Sequence, residues 1–316
     1  MKRLILAAAL AAAPLSAPVA LAQSSALTEL PRLMGPRAVA SLPAATPTET
    51  IRYGEAPSQL VELFLPKPSA ETPDALRPVV VMVHGGCWRQ KVAGPELLRP
   101  AAGAFLDKGY AVWSIGYRRI DEEGGGYPGT YQDVAKAIDL IREHAEANKL
   151  DLNRIVFYGH SAGGHLALWA AGRAKIPASS PLHGENPLKP RGVVSVGGFG
   201  SLANWSAEIA TNCGADTLEK LAPKTAEDGS ERTDDVRFAD TSPDKLLPLG
   251  VPVVMLHGVY DPVAFPAVGL DFASEARKAG DKADIWLAPV AGHFEVIAPG
   301  TRPFAQAVSA VDAFAK

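Results

Sequence analysis

The stretch Arg154-Ile155-Val156-Phe157-Tyr158-Gly159-His160-Ser161-Ala162-Gly163-Gly164-His165 decides how this chain is read. It opens as a short apolar strand, turns through Gly-x-Ser-x-Gly, and continues into a helix carrying Leu166, Leu168 and Trp169. Glycines on either side of a serine let backbone pass where a Cβ would clash, so the chain can turn sharply between strand and helix. A serine held there has its hydroxyl exposed at the end of the strand, the geometry of a nucleophile elbow. Gly-x-Ser-x-Gly alone is a weak pattern. Here the strand before it and the helix after it are both legible, and Ser161 is therefore taken as a nucleophile.

Working outward, buried strands recur. Val79-Val80-Val81-Met82-Val83 is a continuous apolar run, as expected of a strand covered on both faces. Further strands are expected at Ile51–Tyr53, Leu60–Phe64, Tyr110–Ile115, Gly192–Val196, Pro252–His257 and Ala283–Leu287. Helices are expected over Pro95–Lys108, Tyr131–Asn148, Ala267–Ala279 and Arg302–Phe314. Val134, Ile138, Ile141 and Ala145 give the second of these one apolar face. Strands alternating with helices predict an α/β fold, a doubly wound, mostly parallel sheet with helices on both faces. No internal repeat is visible.

The N-terminal segment is of another kind. Lys2-Arg3, an apolar Leu/Ala run and Ala20-Leu21-Ala22 describe a signal peptide over residues 1–22, and hence a periplasmic or secreted protein. Pro14 and Pro18 interrupt the run, which is short for a bilayer span of ~20 residues. Residues 23–50, rich in Ala, Pro and Ser, read as a flexible arm or linker, and 51–316 as the folded domain. Within it, 197–250 is long and weakly periodic, with one helix expected near Asp216–Leu221, and reads as a cap or pocket wall.

The 316 residues are 47% hydrophobic and 21% charged, enough for one domain with a sizeable core. Loss of Lys2 and Arg3 moves the formal charge from −3 to −5, which gives no electrostatic footprint for nucleic acid. No stretch after the leader is long and apolar enough to span a membrane. The two cysteines, Cys87 and Cys213, are too few and too far apart for a zinc site, and in an oxidising compartment they suggest a disulfide, with two separate buried thiols as the alternative.

A serine nucleophile needs a general base, and the base an orienting acid. Of seven histidines, His293 in Ala291-Gly292-His293-Phe294 lies on a loop after the last strand, where a base belongs. His160 abuts Ser161, so its side chain is expected to point elsewhere; His165 should pack beneath the elbow, and His84 should brace its loop. Asp261, after the preceding strand, is the orienting acid, with Glu295 and Asp240 as weaker candidates. Amide donors for an oxyanion are expected from Gly86, Cys87 and Ala162, each such donor contributing roughly 3 kcal/mol. Trp88 is placed in the substrate pocket or, alternatively, in the core.

His84-Gly85-Gly86-x-Trp88, Gly159-His160-Ser161-Ala162-Gly163-Gly164, and the Asp261 and His293 loops together resemble the esterase/lipase branch of the α/β-hydrolase superfamily, closest to its small carboxylesterase and arylformamidase-like group. The resemblance covers about Leu60 to Lys316. It implies hydrolysis of an ester or amide through an acyl-enzyme, with no metal or organic cofactor, and an exported serine hydrolase of small carboxylic esters is the leading reading. An arylformamidase-type amide hydrolase or a peptidase is the alternative, and a non-catalytic binding module on the same scaffold a third reading. Two positions depart from the arylformamidase pattern: Cys87 replaces an aromatic residue, and Val263-Ala264-Phe265-Pro266 replaces Val-Pro.

Overall fold

The computed structural model describes residues 33–68, 74–226 and 229–316. The leader expected over residues 1–22 lies outside the described residues. Among those described, eight strands form one sheet: β1 Glu49–Arg52, β2 Leu60–Phe64, β3 Arg77–Val83, β4 Ala111–Ile115, β5 Leu150–His160, β6 Gly192–Val196, β7 Val253–Gly258 and β8 Ala283–Ala288. Their spatial order is β1-β2-β4-β3-β5-β6-β7-β8. The first two strands run antiparallel to their neighbours and the remaining pairs are parallel.

The helices are α1 Pro36–Ala40, α2 Arg99–Leu106, α3 Gly129–Asp139, α4 Ile141–His144, α5 Ala162–Gly172, α6 Ser206–Cys213, α7 Thr217–Leu221, α8 Asp234–Arg237, α9 Pro266–Lys278 and α10 Arg302–Phe314. They cover both faces of the sheet. Side chains alternate across a strand, so β3 sends Val79, Val81 and Val83 into one core and Val80 and Met82 into the other. The first core also holds Val134 of α3, Leu166 and Trp169 of α5, and Phe272 of α9. The second holds Phe105 of α2 and Phe304 and Val308 of α10. Double coverage is why the central strands are apolar at every position rather than at alternate ones.

Three expectations are corrected. One compact unit spans Leu33–Lys316, so ordered structure is present before residue 51. Val39 of α1 is fully buried against Leu98 and Phe105, so the second half of the presumed arm is docked structure. The expected 131–148 helix is two pieces, α3 and α4, broken at Leu140. The 197–250 segment holds α6 and α8 besides the one helix expected there, and it is tied inward by Trp169 Nε1–H donating to Asp240 O at 2.7 Å.

Candidate active site

The carboxyl ends of the parallel strands converge on one place, the usual site of chemistry in open α/β sheets. Ser161 follows β5 with φ 54° and ψ −121°, a left-handed conformation that a non-glycine residue adopts only when its surroundings impose it. The glycines explain how. A Cβ on Gly159 would lie 2.1 Å from Gly163 O, and one on Gly163 would lie 2.0 Å from Val83 O. The helix start is thus pressed against β3 and β5 as only glycine permits. Ser161 N–H donates to Val196 O of β6 at 2.9 Å, and Ser161 O accepts from Gly164 N–H at 2.8 Å, which fixes the turn from both sides.

His293 lies beyond β8 and Asp261 beyond β7. The ring Nδ1–H of His293 donates to Asp261 Oδ2 at 2.7 Å. Asp261 Oδ1 accepts from the amides of Val263 at 2.8 Å and Ala264 at 2.9 Å. Burial pushes the Asp261 carboxyl upward, but the His293 hydrogen bond and charge and those two amides outweigh it, holding its pKa below the ordinary carboxylate value. Asp261 therefore stays an acceptor, and the imidazole keeps its proton on Nδ1, leaving Nε2 as the basic nitrogen. Gly197, at φ 58°, passes so close that a Cβ would sit 3.1 Å from the imidazole and 3.3 Å from Asp261 Oδ2.

Ser161 and His293 open onto one cavity of about 770 Å³, together with Gly86, Cys87 and Val263. Ser161 Oγ makes no hydrogen bond of normal geometry among the described residues. The serine, imidazole and carboxylate picked out in the sequence are therefore gathered around one cavity, with no serine–imidazole hydrogen bond among the described residues.

The turn after β3 faces the same cavity. Gly86, Cys87 and Trp88 have φ of 112°, 54° and 52°, an unusual run of left-handed residues. The amides of Gly86, Cys87 and Ala162 donate no hydrogen bond among the described residues, Ala162 being the first residue of α5, where amides have no intrahelical partner. Gly85 is required because a Cβ there would meet His160 O at 2.9 Å and Ser161 Cβ at 3.0 Å. A disulfide joins Cys87 to Cys213 at the end of α6, with Cα atoms 5.1 Å apart. Asn212, beside it, lines the cavity, so the 197–250 segment contributes to the wall.

Two expectations fail here. Trp88 does not line the cavity: it is fully buried, edge-on to His165 at 5.4 Å, because the left-handed turn directs it under the loop into the core. His160 does not point away. Its ring lies 4.7 Å from that of His293, and its Nε2–H donates to His293 O at 2.9 Å. The strand–elbow register puts the side chain before the nucleophile beside the loop that carries the base, a neighbour that spacing along the chain does not reveal. Burial lowers the His160 pKa to about 3, with the nearby His293 adding to the effect, so the ring is neutral.

The other histidines are structural. His84 stacks on Tyr117 at 4.4 Å, and Tyr117 Oη–H donates to His84 O at 2.8 Å, bracing the glycine turn. His165 Nε2–H donates to Thr241 O at 2.9 Å beneath the elbow. His257 Nδ1–H donates to Ala264 O at 2.7 Å and steadies the Asp261 loop. Glu295 is not the orienting acid, since its Oε2 accepts from Gly292 N–H at 2.8 Å. Asp240 lines a separate cavity beside Tyr127 and Ser180. Among the described residues no group of three or more His, Cys, Asp or Glu is gathered as a metal site.

The BD-FAE family model matches residues 61–268. Esterase LipQ of Mycobacterium tuberculosis is 30% identical over 160 residues, 51% of this chain and 36% of that protein. Isoprenylcysteine alpha-carbonyl methylesterase ICME of Arabidopsis thaliana is 31% identical over 122 residues, 38% of this chain and 26% of that protein. The chain thus spans about a quarter to a third of the length of these curated relatives. Among solved structures, esterase B from Lactobacillus rhamnosis superposes with a TM-score of 0.72 at 20% identity, covering 88% of this chain and 90% of that one. A truncated carbohydrate esterase from gut microbiota gives 0.69 at 22%, covering 86% and 97%. The sheet order, the elbow after β5 and the extent of the family match lead to one conclusion: the chain belongs to the BD-FAE family and has the α/β-hydrolase fold.

Proposed function

We propose that the protein is an exported serine esterase acting on small carboxylic esters through an acyl-enzyme. One observation carries the reading: a strained serine at the elbow opens onto the same cavity as an imidazole whose far nitrogen is fixed by a buried carboxylate 2.7 Å away. The family membership and the esterase names of its relatives support the choice of esters.

In this mechanism Ser161 Oγ attacks the ester carbonyl while His293 Nε2 takes its proton. Asp261 holds the imidazole in orientation and stabilises the imidazolium without itself becoming protonated. Negative charge then develops on the former carbonyl oxygen, and the unpartnered amides of Gly86, Cys87 and Ala162 are the available donors. The imidazolium returns its proton to the leaving alcohol, and the ester bond breaks. Water, deprotonated by the same imidazole, attacks the acyl-Ser161 and releases the acid. Export rests on the Lys2-Arg3 leader pattern, and the Cys87–Cys213 bridge suits an oxidising compartment.

The test is turnover of p-nitrophenyl acetate and butyrate by the wild type and Ser161→Ala. Removing such a nucleophile costs about 10⁶ in turnover, so a variant retaining more than about a hundredth of wild-type activity would end this assignment.

A further inference from the structure

One wall of the cavity beside Ser161 is not part of the sheet scaffold. Pro36, Arg37, Ala40 and Ala44, from the segment before β1, line it. That segment is held at two points. Val39 is buried in the core, and Met34 N–H donates to Glu295 Oε1. The other oxygen of Glu295 holds Gly292 N–H, next to His293. A single buried carboxylate therefore ties this wall to the loop that carries the base.

The charges on the lining are unbalanced. It carries three cations, Arg37, Lys91 and Arg99, against one carboxylate, Glu96. Arg99 is already engaged by Glu62 through two hydrogen bonds. Glu96 accepts from Gly94 N–H at 2.9 Å, and its charge faces Arg99. Arg37 and Lys91 are exposed, and among the described residues their side chains make no ion pair or hydrogen bond. Two cations with no side-chain ion pair among the described residues line the nucleophile's cavity, the Asp121 carboxylate being held by the Gln90 and Lys91 amides, in a chain whose formal net charge is −3. The same cavity is also lined by apolar Val92, Leu97 and Pro100. Charges of one sign lining a cleft raise the local concentration of oppositely charged substrate.

We propose that the site takes esters that carry a carboxylate remote from the scissile bond, recognised by Arg37 and Lys91 as specificity-determining residues. This rests on the serine-esterase reading above. The carboxylate is carried on either the acyl or the alcohol part, and paired probes separate the two. For the acyl side, mono-4-nitrophenyl glutarate is compared with 4-nitrophenyl pentanoate. For the alcohol side, 4-acetoxybenzoate is compared with 4-acetoxybenzamide.

The readout is the ratio of kcat/KM for the charged ester to that for its neutral partner, taken on one preparation so that unfolded protein cancels. In at least one pair, Arg37→Gln/Lys91→Gln should lower that ratio about tenfold, chiefly through KM. About 0.5 M NaCl should shrink the wild-type preference in that pair. Ratios in both pairs that stay within about twofold of wild type in the double variant would overturn the proposal. Failure of the underlying reading looks different: Ser161→Ala would then hydrolyse the neutral esters as fast as the wild type.

Discussion

Removal of the Cys87–Cys213 bridge is the most informative structural perturbation, because it joins the candidate oxyanion turn to the pocket wall. The cysteines are 126 residues apart, and closing a loop of that length restrains the unfolded chain by about 5 kcal/mol in the chain-entropy description. Measured values commonly fall below that figure, so Cys87→Ser/Cys213→Ser should lose about 3–5 kcal/mol. For a domain of this size that corresponds to a fall in Tm on the order of 10 °C. The active site should suffer less than the fold. Arg89 also clamps the two segments: its Nε–H donates to Cys213 O at 2.7 Å, and its guanidinium pairs with Asp216 and donates to Thr217 Oγ1 at 3.2 Å. Cys87 and Trp88, left-handed at φ 54° and 52°, are nonetheless strained and lose one restraint. Losing a donor outright costs about 10²–10³ in kcat, and a loosened turn still held by Arg89 should cost roughly tenfold. The assays are thermal melts and ester kinetics on wild type and variant, with thiol titration of the denatured, unreduced wild type after export. Two free thiols, or a variant with unchanged Tm and kcat, would refute the reasoning.

Two further outcomes follow from the site. His160→Phe keeps a ring beside His293 but removes the hydrogen bond to its carbonyl; kcat should fall by up to about tenfold with KM little changed, and identical kinetics would show that His160 only fills space. Burial lowers the pKa of His84 and His160 to about 3 and of His165 to about 4, against an ordinary 6.5 in the unfolded chain. These rings are neutral in the fold and take up protons on unfolding, so their contribution is intact above pH 6.5 and is lost as pH falls toward 3–4. Each contributes about 1.4 kcal/mol per pH unit across that window, so urea midpoints should drop steeply from pH 6.5 to 5, and a flat profile would contradict the neutral assignment.

The parallel strands were legible because burial on both faces writes an uninterrupted β-branched run, as at Val79–Val83. Ser161, Asp261 and His293 were legible because each stands just past a strand that could be read. The rest was hidden for physical reasons. α1 is five residues with one buried side chain, Val39, and owes its place to contacts made by Leu98, Phe105 and Glu295 far along the chain. α6 is held by a disulfide and by Arg89 rather than by a strong periodic pattern of its own. Trp88 and His160 were misplaced because a left-handed turn and a strand register, neither visible in residue type, decide where they point.

In the proposed mechanism one hydroxyl, that of Ser161, is activated by His293 and Asp261. Reaction with a fluorophosphonate, followed by peptide mapping by mass spectrometry, tests it directly. A single adduct on Ser161 is expected in the wild type, slowed at least about a hundredfold in His293→Ala as the general base is lost. An adduct on another residue, or equal labelling of Ser161 without the imidazole, would contradict it.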